Sequence, residues 1–386
     1  MFTERTGGSD LAALEASATP DGQAWSLTGL KWFASNANGS AFVVLARLPS
    51  GDVAPFLVLW ERRDGARNAV RIRRLKDKLG TRSVASAEVE FTGAEAFLLA
   101  GSGSGSGLGT MMKLTNASRL GVAMMGLGVA RRALVESLCY ASAREAFGRR
   151  LIDQPLMRRK LASSSLEVEA VQALVFDGHL GPRLRLAPAL VKLRAARLGV
   201  HAASDAIEVH GGNGYIEQWP VARLLRDAQV NPIWEGGDNI LCLDVRRAML
   251  KEAAHEPFLE RLAAAVEQAR PGSGDLVRGR IDDLRKAITV CLARPCPRRR
   301  RGCIRWPSSW RTSTRRLCLL EQAGWEQRSG HGDRKALFAR ASTPTPTWPT
   351  TARCAALDRP AEDLGPLRRP CRGSRHALIW AGAVLS

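Results

Sequence analysis

Short apolar runs separated by turn residues fill the first hundred positions, and long runs with a three-to-four-residue hydrophobic period fill most of the next two hundred. AFVVLARL (41–48), PFLVLW (55–60) and VRIRRL (70–75) are divided by PSGD and RRDG, a spacing that predicts an antiparallel sheet. In the last run Val70 and Ile72 alternate with Arg71 and Arg73, as on a half-buried strand. This β domain is expected to end near Ala100. The following GSGSGSGLG (101–109) reads as a flexible joint without a G-x-G-x-x-G register, so a Rossmann dinucleotide fold is not expected.

From Thr110 to Gly148 there is no proline, and Leu120, Met124, Leu127, Leu134 and Leu138 share one face, which predicts a long helix and hence a bundle. A second helix is predicted from Pro155 to about Asp177, ended by Gly178 and Gly181. A third carries Leu190, Leu193, Ala196, Val200, Ala203 and Ile207 and stops at Gly211 and Gly212. Further helices are expected at about 220–228, 238–253 and 257–270. The fold class is therefore α+β: an antiparallel β domain (1–105), a four-helix-bundle-like domain (106–290) and a tail (291–386).

Charge changes the picture of the tail. The chain of 386 residues carries 57 Lys+Arg against 37 Asp+Glu, but residues 291–386 hold 19 and 6 of these, so only +7 of the +20 belongs to the first 290. Eighteen of the tail's cations are Arg, and six of the eight cysteines fall there with no C-x-x-C pair, which argues against a zinc module. RPCPRRRRGCIRWPSSW and STPTPTWPTTARC show no helical or strand period, so little packed structure is expected. Such Arg-rich, Lys-poor text is what a GC-rich gene yields in a shifted frame; the alternative is a solvated arm that binds nucleic acid through phosphates. Cys139 and Cys242 alone remain in the body, which fits reduced thiols and a cytoplasmic location. No uncharged apolar run approaches the roughly 18 residues of a membrane span, and MFTERTGGSD has no leader pattern, so neither a membrane nor a secreted protein is expected. His201 and His210 share no metal spacing and read as ordinary helix residues; no metal is expected.

TERTGGSD (3–10), GLKWFASN (29–36), REAFGRRLIDQPL (144–156), HGGNGYIEQWPVARLLRDAQVN (210–231) and IWEGGDN (233–239) resemble, in order and spacing, the acyl-CoA dehydrogenases. KWFAS, KDKLGTRS (76–83) and the stretch 230–247 are most similar to the alkylation-response (adaptive response) branch. The resemblance covers about residues 1 to 290. It implies a central β domain followed by a C-terminal helical bundle, with the family's N-terminal helical domain absent from this chain.

The chemistry implied is FAD-dependent α,β-dehydrogenation of an acyl-CoA thioester: a base takes the α proton while flavin N5 accepts the β hydride. By match of motif the base is Glu235, although by position alone it reads as an acid at a helix N-terminus. Some relatives carry their base just before an arginine of the first bundle helix; here Ser118 precedes Arg119, so no rival carboxylate is present. The resemblance assigns Thr3, Phe33 and Ser35 to the flavin ring, and Gly8, Ser9 and Arg119 to the acyl-CoA. Phe33 reads equally well as sheet core. Arg144, Phe147 and Gln154 are implied to reach the FAD of a neighbouring subunit, with Gly211 and Gly212 forming the turn against which it rests and Asn239 on its adenosine side. The alternatives are a solvated cation for Arg144 and a helix C-cap for the glycines. Gly237 stands where the family usually has Thr or Ser, which predicts weaker flavin retention. The implied partners are an acyl-CoA, an electron-transfer flavoprotein or other acceptor, and further copies of the chain as a homodimer or homotetramer. The competing readings are an alkylation-response-type flavoprotein that binds DNA, little supported by +7, and a fragment that holds no flavin.

Overall fold

A computed structural model describes residues 1–99, 107–180, 185–267 and 275–293. The tail beyond 293, with its zinc, nucleic-acid and reading-frame alternatives, lies outside the described residues, as does most of the Gly-Ser joint.

Six strands build the β domain: β1 (Ser17–Asp21), β2 (Ala24–Ser35), β3 (Ala41–Arg47), β4 (Val53–Leu59), β5 (Val70–Leu75) and β6 (Ser86–Leu98). The order β2-β1-β3-β4-β6-β5 is supplemented by a β2–β6 pairing, so β2, β1, β3, β4 and β6 close on themselves. Pairing is antiparallel except for β1 beside β3. Leu27, Val44, Phe56, Val58, Val89 and Phe91 fill the interior. β5 departs from the half-buried strand expected. Only Val70 is buried, while Ile72 and Leu75 are exposed, because β5 is the free edge of the sheet. Its arginines face β6 instead, where Arg73 pairs with Glu90 at 2.5 Å and Arg74 with Glu88 at 2.7 Å.

The helical domain comprises α1 (Gly107–Ala143), α2 (Pro155–Leu180), α3 (Ala187–His210), α4 (Pro220–Ala228), α5 (Asp238–Glu252), α6 (Glu256–Glu267) and α7 (Asp275–Ala293). The end of α1 is set by a tight hairpin, β7 (Glu145–Ala146) and β8 (Arg149–Arg150), earlier than the proline-free run suggested. Its two central residues, Phe147 (φ 56°) and Gly148 (φ 75°), are both left-handed, the signature of a type I′ turn that matches strand twist. Gly178 lies inside α2, two residues short of its end.

α1 and α3 run parallel and meet backbone to backbone. A Cβ on Gly126 would fall 2.5 Å from the Ala195 carbonyl oxygen, and one on Gly199 would fall 2.8 Å from that of Gly126. The face of α1 in contact is therefore Ala123, Leu127, Ala130, Ala133 and Leu134, whereas Met124 is exposed. α3 is central, buried by α1, α2 and α4 on one side and by α5, α6 and α7 on the other.

The two domains are fastened at the KDKLGTRS loop. Gly80 abuts the end of α4 so closely that a Cβ would lie 2.3 Å from the Arg226 carbonyl oxygen, and the Thr81 amide donates to Asp227 Oδ1 at 2.5 Å.

Candidate active site

The β-domain wall is organised by a residue that the motif reading passed over. Glu4 is buried and accepts from Lys31 Nζ (2.5 Å), the Glu15 amide (2.6 Å) and the Ala16 amide (3.1 Å), which ties the TERTGGSD loop to β2. Although burial works against ionisation, these donors hold the Glu4 carboxyl below its ordinary value, and burial draws the Lys31 ammonium down as well. The Thr3 carbonyl accepts from the Trp32 amide at 2.8 Å. A Cβ on Gly8 would stand 2.5 Å from Thr3 Oγ1, so the close approach that requires glycine here is to Thr3 itself. Ser9 and Ser35 are exposed. Phe33 is 52% exposed at the end of β2, which rules out the core reading of its ring. Lys76 Nζ lies 3.3 Å from the Trp32 ring centre and 4.9 Å from that of Phe33.

The opposite wall is the turn before α5. Glu235 (φ 56°) and Gly236 (φ 98°) are both left-handed, an uncommon conformation for a glutamate. Arg119 Nε donates to the Glu235 carbonyl at 3.1 Å, and Lys192 Nζ donates to the Gly236 carbonyl at 2.7 Å. Arg119, expected at the substrate, is 2% exposed, and its remaining bonds go to Asn116 and, at 2.5 Å, to Asp244. The site residue thus acts on the turn rather than through an exposed fork. Asp244 also pairs with Arg185 at 2.7 Å; burial raises its pKa, but the two arginines outweigh it and hold the carboxyl low. The Glu235 carboxylate forms no hydrogen bond or ion pair among the described residues, yet it lies near enough to the Met1 ammonium for their charges to interact. The turn therefore faces the TERTGGSD end of the β domain. Asn239 is exposed in the first turn of α5, and Gly237 has nothing nearer its Cβ position than the Pro232 carbonyl oxygen at 3.9 Å.

Lys192 was not singled out by sequence, and it is wholly buried. Burial lowers its pKa from 10.5 to about 8, against an upward pull from Asp238. Between those two values the unfolded chain binds the extra proton, so stability should rise with pH through this window, by about 3 kcal/mol in all. Denaturant unfolding at steps from pH 8 to 10.5 should show a steeper rise in the wild type than in Lys192→Met, the part left in the variant belonging to Lys31, which burial also draws down. Equal slopes for the two proteins would refute the coupling.

The remaining candidates gather at the far end of the bundle. Arg144 is exposed, Phe147 is 95% exposed at the hairpin tip, and Gln154 Nε2 donates to the Ala146 carbonyl at 3.1 Å, bracing that hairpin. Gly211 and Gly212 are exposed and continue α3 in a short helical turn, where Asn213 Nδ2 donates to the Tyr140 hydroxyl at 3.2 Å. Tyr140 stacks on His210 at 4.3 Å, so this histidine is a buried packing residue. From Arg119 to Ala143 the rise of α1 amounts to roughly 36 Å, so one chain presents two separate clusters.

Residues 1–94 match the model of the acyl-CoA dehydrogenase middle domain, and residues 105–250 that of the acyl-CoA dehydrogenase C-terminal domain. Cyclohexane-1-carbonyl-CoA dehydrogenase of Geobacter metallireducens is 30% identical over 66% of this chain and 68% of its own length. The chain belongs to the acyl-CoA dehydrogenase family. AidB of Escherichia coli, from the branch whose motifs the sequence shares, is 39% identical over 65% of this chain and 48% of its own. The structure of Caenorhabditis elegans ACDH-11 in complex with C11-CoA superposes with a TM-score of 0.75 at 26% identity, covering 88% of this chain and 62% of that one. The chain thus spans about half the length of AidB. In the acyl-CoA dehydrogenase fold the described β barrel and bundle are the middle and C-terminal domains. Among the described residues no helix is long and apolar enough to cross a membrane, and no group of three or more His, Cys, Asp or Glu could hold a metal.

The residues present fit a flavin. Phe33 offers an exposed ring, and Trp234 Nε1, Asn231 Oδ1 and Asp238 Oδ1 are buried in the Glu235 turn without a hydrogen-bond partner.

Proposed function

We propose that the protein dehydrogenates an acyl-CoA thioester at its α and β carbons, with Glu235 as the base that takes the α proton. The observation that carries this reading is the Glu235 turn: a carboxylate with no partner of its own, on a left-handed residue whose carbonyl and whose neighbour's carbonyl are gripped by Arg119 and Lys192. Backbone strain kept at an acid with no structural bond is the pattern of a functional group.

FAD supplies the hydride acceptor when bound. Thr3, Phe33 and Ser35 hold the ring, with Phe33 stacking on it. Gly8 and Ser9 meet the acyl-CoA. Arg119 serves substrate binding only through the turn it holds. By their match to the family's motifs, Arg144, Phe147, Gln154, Gly211 and Gly212 serve the FAD of a second copy, a reading that the roughly 36 Å between the two clusters along α1 supports, and the working state is then a homodimer or a larger homo-oligomer. An electron-transfer flavoprotein or an equivalent acceptor takes the electrons onward.

The test is the visible spectrum of the full chain reconstituted with FAD, before and after anaerobic addition of a panel of acyl-CoAs. Bleaching of the oxidised flavin band is the expected result. Flavin that stays oxidised with every acyl-CoA would overturn the dehydrogenase reading, and failure to retain flavin would overturn the assignment of its binding residues.

A further inference from the structure

Lys192 sits on the most buried stripe of α3, in phase with Ala196, Gly199 and Ala203, where an apolar side chain would be the ordinary choice. A buried ammonium is costly unless it is paired, yet no carboxylate lies within ion-pair distance of this one among the described residues. Its bond is to the Gly236 carbonyl. The charged groups around it are Asp238 and Glu235 from the α5 side, Arg119 from α1, and Arg197 from its own helix, the last already paired with Asp238 at 2.8 Å. Arg119 in turn is neutralised by Asp244 and reaches the adjacent Glu235 carbonyl. Two cations from two helices thus hold the consecutive carbonyls of two left-handed residues, and removal of either frees a peptide plane that the Glu235 side chain depends on for its direction.

We propose that Lys192 and Arg119 form a two-point clamp on the backbone of the Glu235 turn and are positioning residues for its carboxylate. The proposal deepens the reading of Glu235 as the base and rests on it for its catalytic meaning. The clamp itself is a property of the protein without ligand. Because Lys192 Nζ binds a carbonyl rather than an acid, its own charge is left to balance the carboxylate that it orients.

Hydrogen–deuterium exchange of the full-length, ligand-free chain reads the clamp directly, through the peptide covering residues 232–241. Loss of a charged hydrogen bond to the backbone should speed exchange there by about tenfold or more in Lys192→Met. Peptides from the rest of α3 and from the β barrel should keep wild-type rates, and Lys192→Arg, which retains a cationic donor, should recover protection. Arg119→Lys keeps a cation facing Asp244 while withdrawing the donor to Glu235, and it should loosen the same peptide, which keeps the test open if Lys192→Met does not fold. Unchanged exchange in the turn, or loosening spread evenly through α3, would overturn the clamp.

With FAD bound, Lys192→Met should lower the rate constant of bleaching while the half-saturating acyl-CoA concentration stays near the wild-type value. A wild-type protein that holds flavin but is bleached by no acyl-CoA would remove the base reading and leave the exchange result to decide the clamp on its own.

Discussion

Glu235→Gln is expected to slow acyl-CoA-dependent bleaching of bound flavin by about 10²–10⁴-fold, the range over which a positioned general base contributes. The substitution keeps side-chain length and shape, and the Arg119 and Lys192 bonds are to main-chain carbonyls, which glutamine supplies equally. The carboxylate makes no hydrogen bond or ion pair among the described residues, so its loss removes only its longer-range attraction to Lys192 and the Met1 ammonium. Stability and flavin affinity should therefore stay close to wild type while proton abstraction is lost. Stopped-flow absorbance measures the rate, and a thermal scan of both proteins checks the fold. A rate near the wild-type value would move the base to another residue. A large drop in melting temperature would mean that the acid is structural.

Lys31→Met is expected to destabilise the β domain by about 3–5 kcal/mol, because it leaves Glu4 charged and buried with only amide donors. The pair is enclosed, with side-chain exposures of 0% and 3%. Removing both charges in Glu4→Gln/Lys31→Met should recover much of the loss, since an uncompensated charge rather than a missing attraction is the larger part of the cost. The sign of the acid response follows from the lowered Glu4 value: its contribution is present above the ordinary carboxylate range and is lost as pH falls through the native pKa. Denaturant unfolding of the two variants and the wild type measures all three effects. A single variant as stable as the wild type would show that the pair is hydrated.

Much of the fold is legible because burial follows local pattern. β3 and β4 lie where AFVVLARL and PFLVLW place them, and α3 ends at the glycines that marked it. Where the reading failed, a neighbour decided the outcome. Ile72 alternates with arginines like a buried residue, but nothing among the described residues covers the outer side of β5. Met124 has the spacing of a core residue, yet α1 meets α3 through Gly126, and close backbone approach favours the small side of the helix. Proline alone did not mark the end of α1, since a hairpin built on Phe147 and Gly148 stops it as effectively.

In the site, the motifs located the Glu235 turn but not what holds it. Arg119 was visible as an arginine near the start of a long helix, and its pairing with Asp244, 125 positions away, was not. Lys192 left a trace in the sequence, a lone lysine on an alanine and glycine stripe, which a search for polar residues on apolar faces would have found. Glu4 beside Thr3 had no such signal, because its partner Lys31 is fixed only once β2 bends back over the loop.

The distance between the clusters at the two ends of α1 also bears on genetics. If each flavin site draws Glu235 from one copy and Arg144 from another, a chain lacking either residue is defective in every site of its own assembly. Mixed assemblies of the two defective chains contain some sites that receive both intact halves. Two separately inactive alleles would then complement each other when expressed together, whereas two lesions within the Glu235 turn would not.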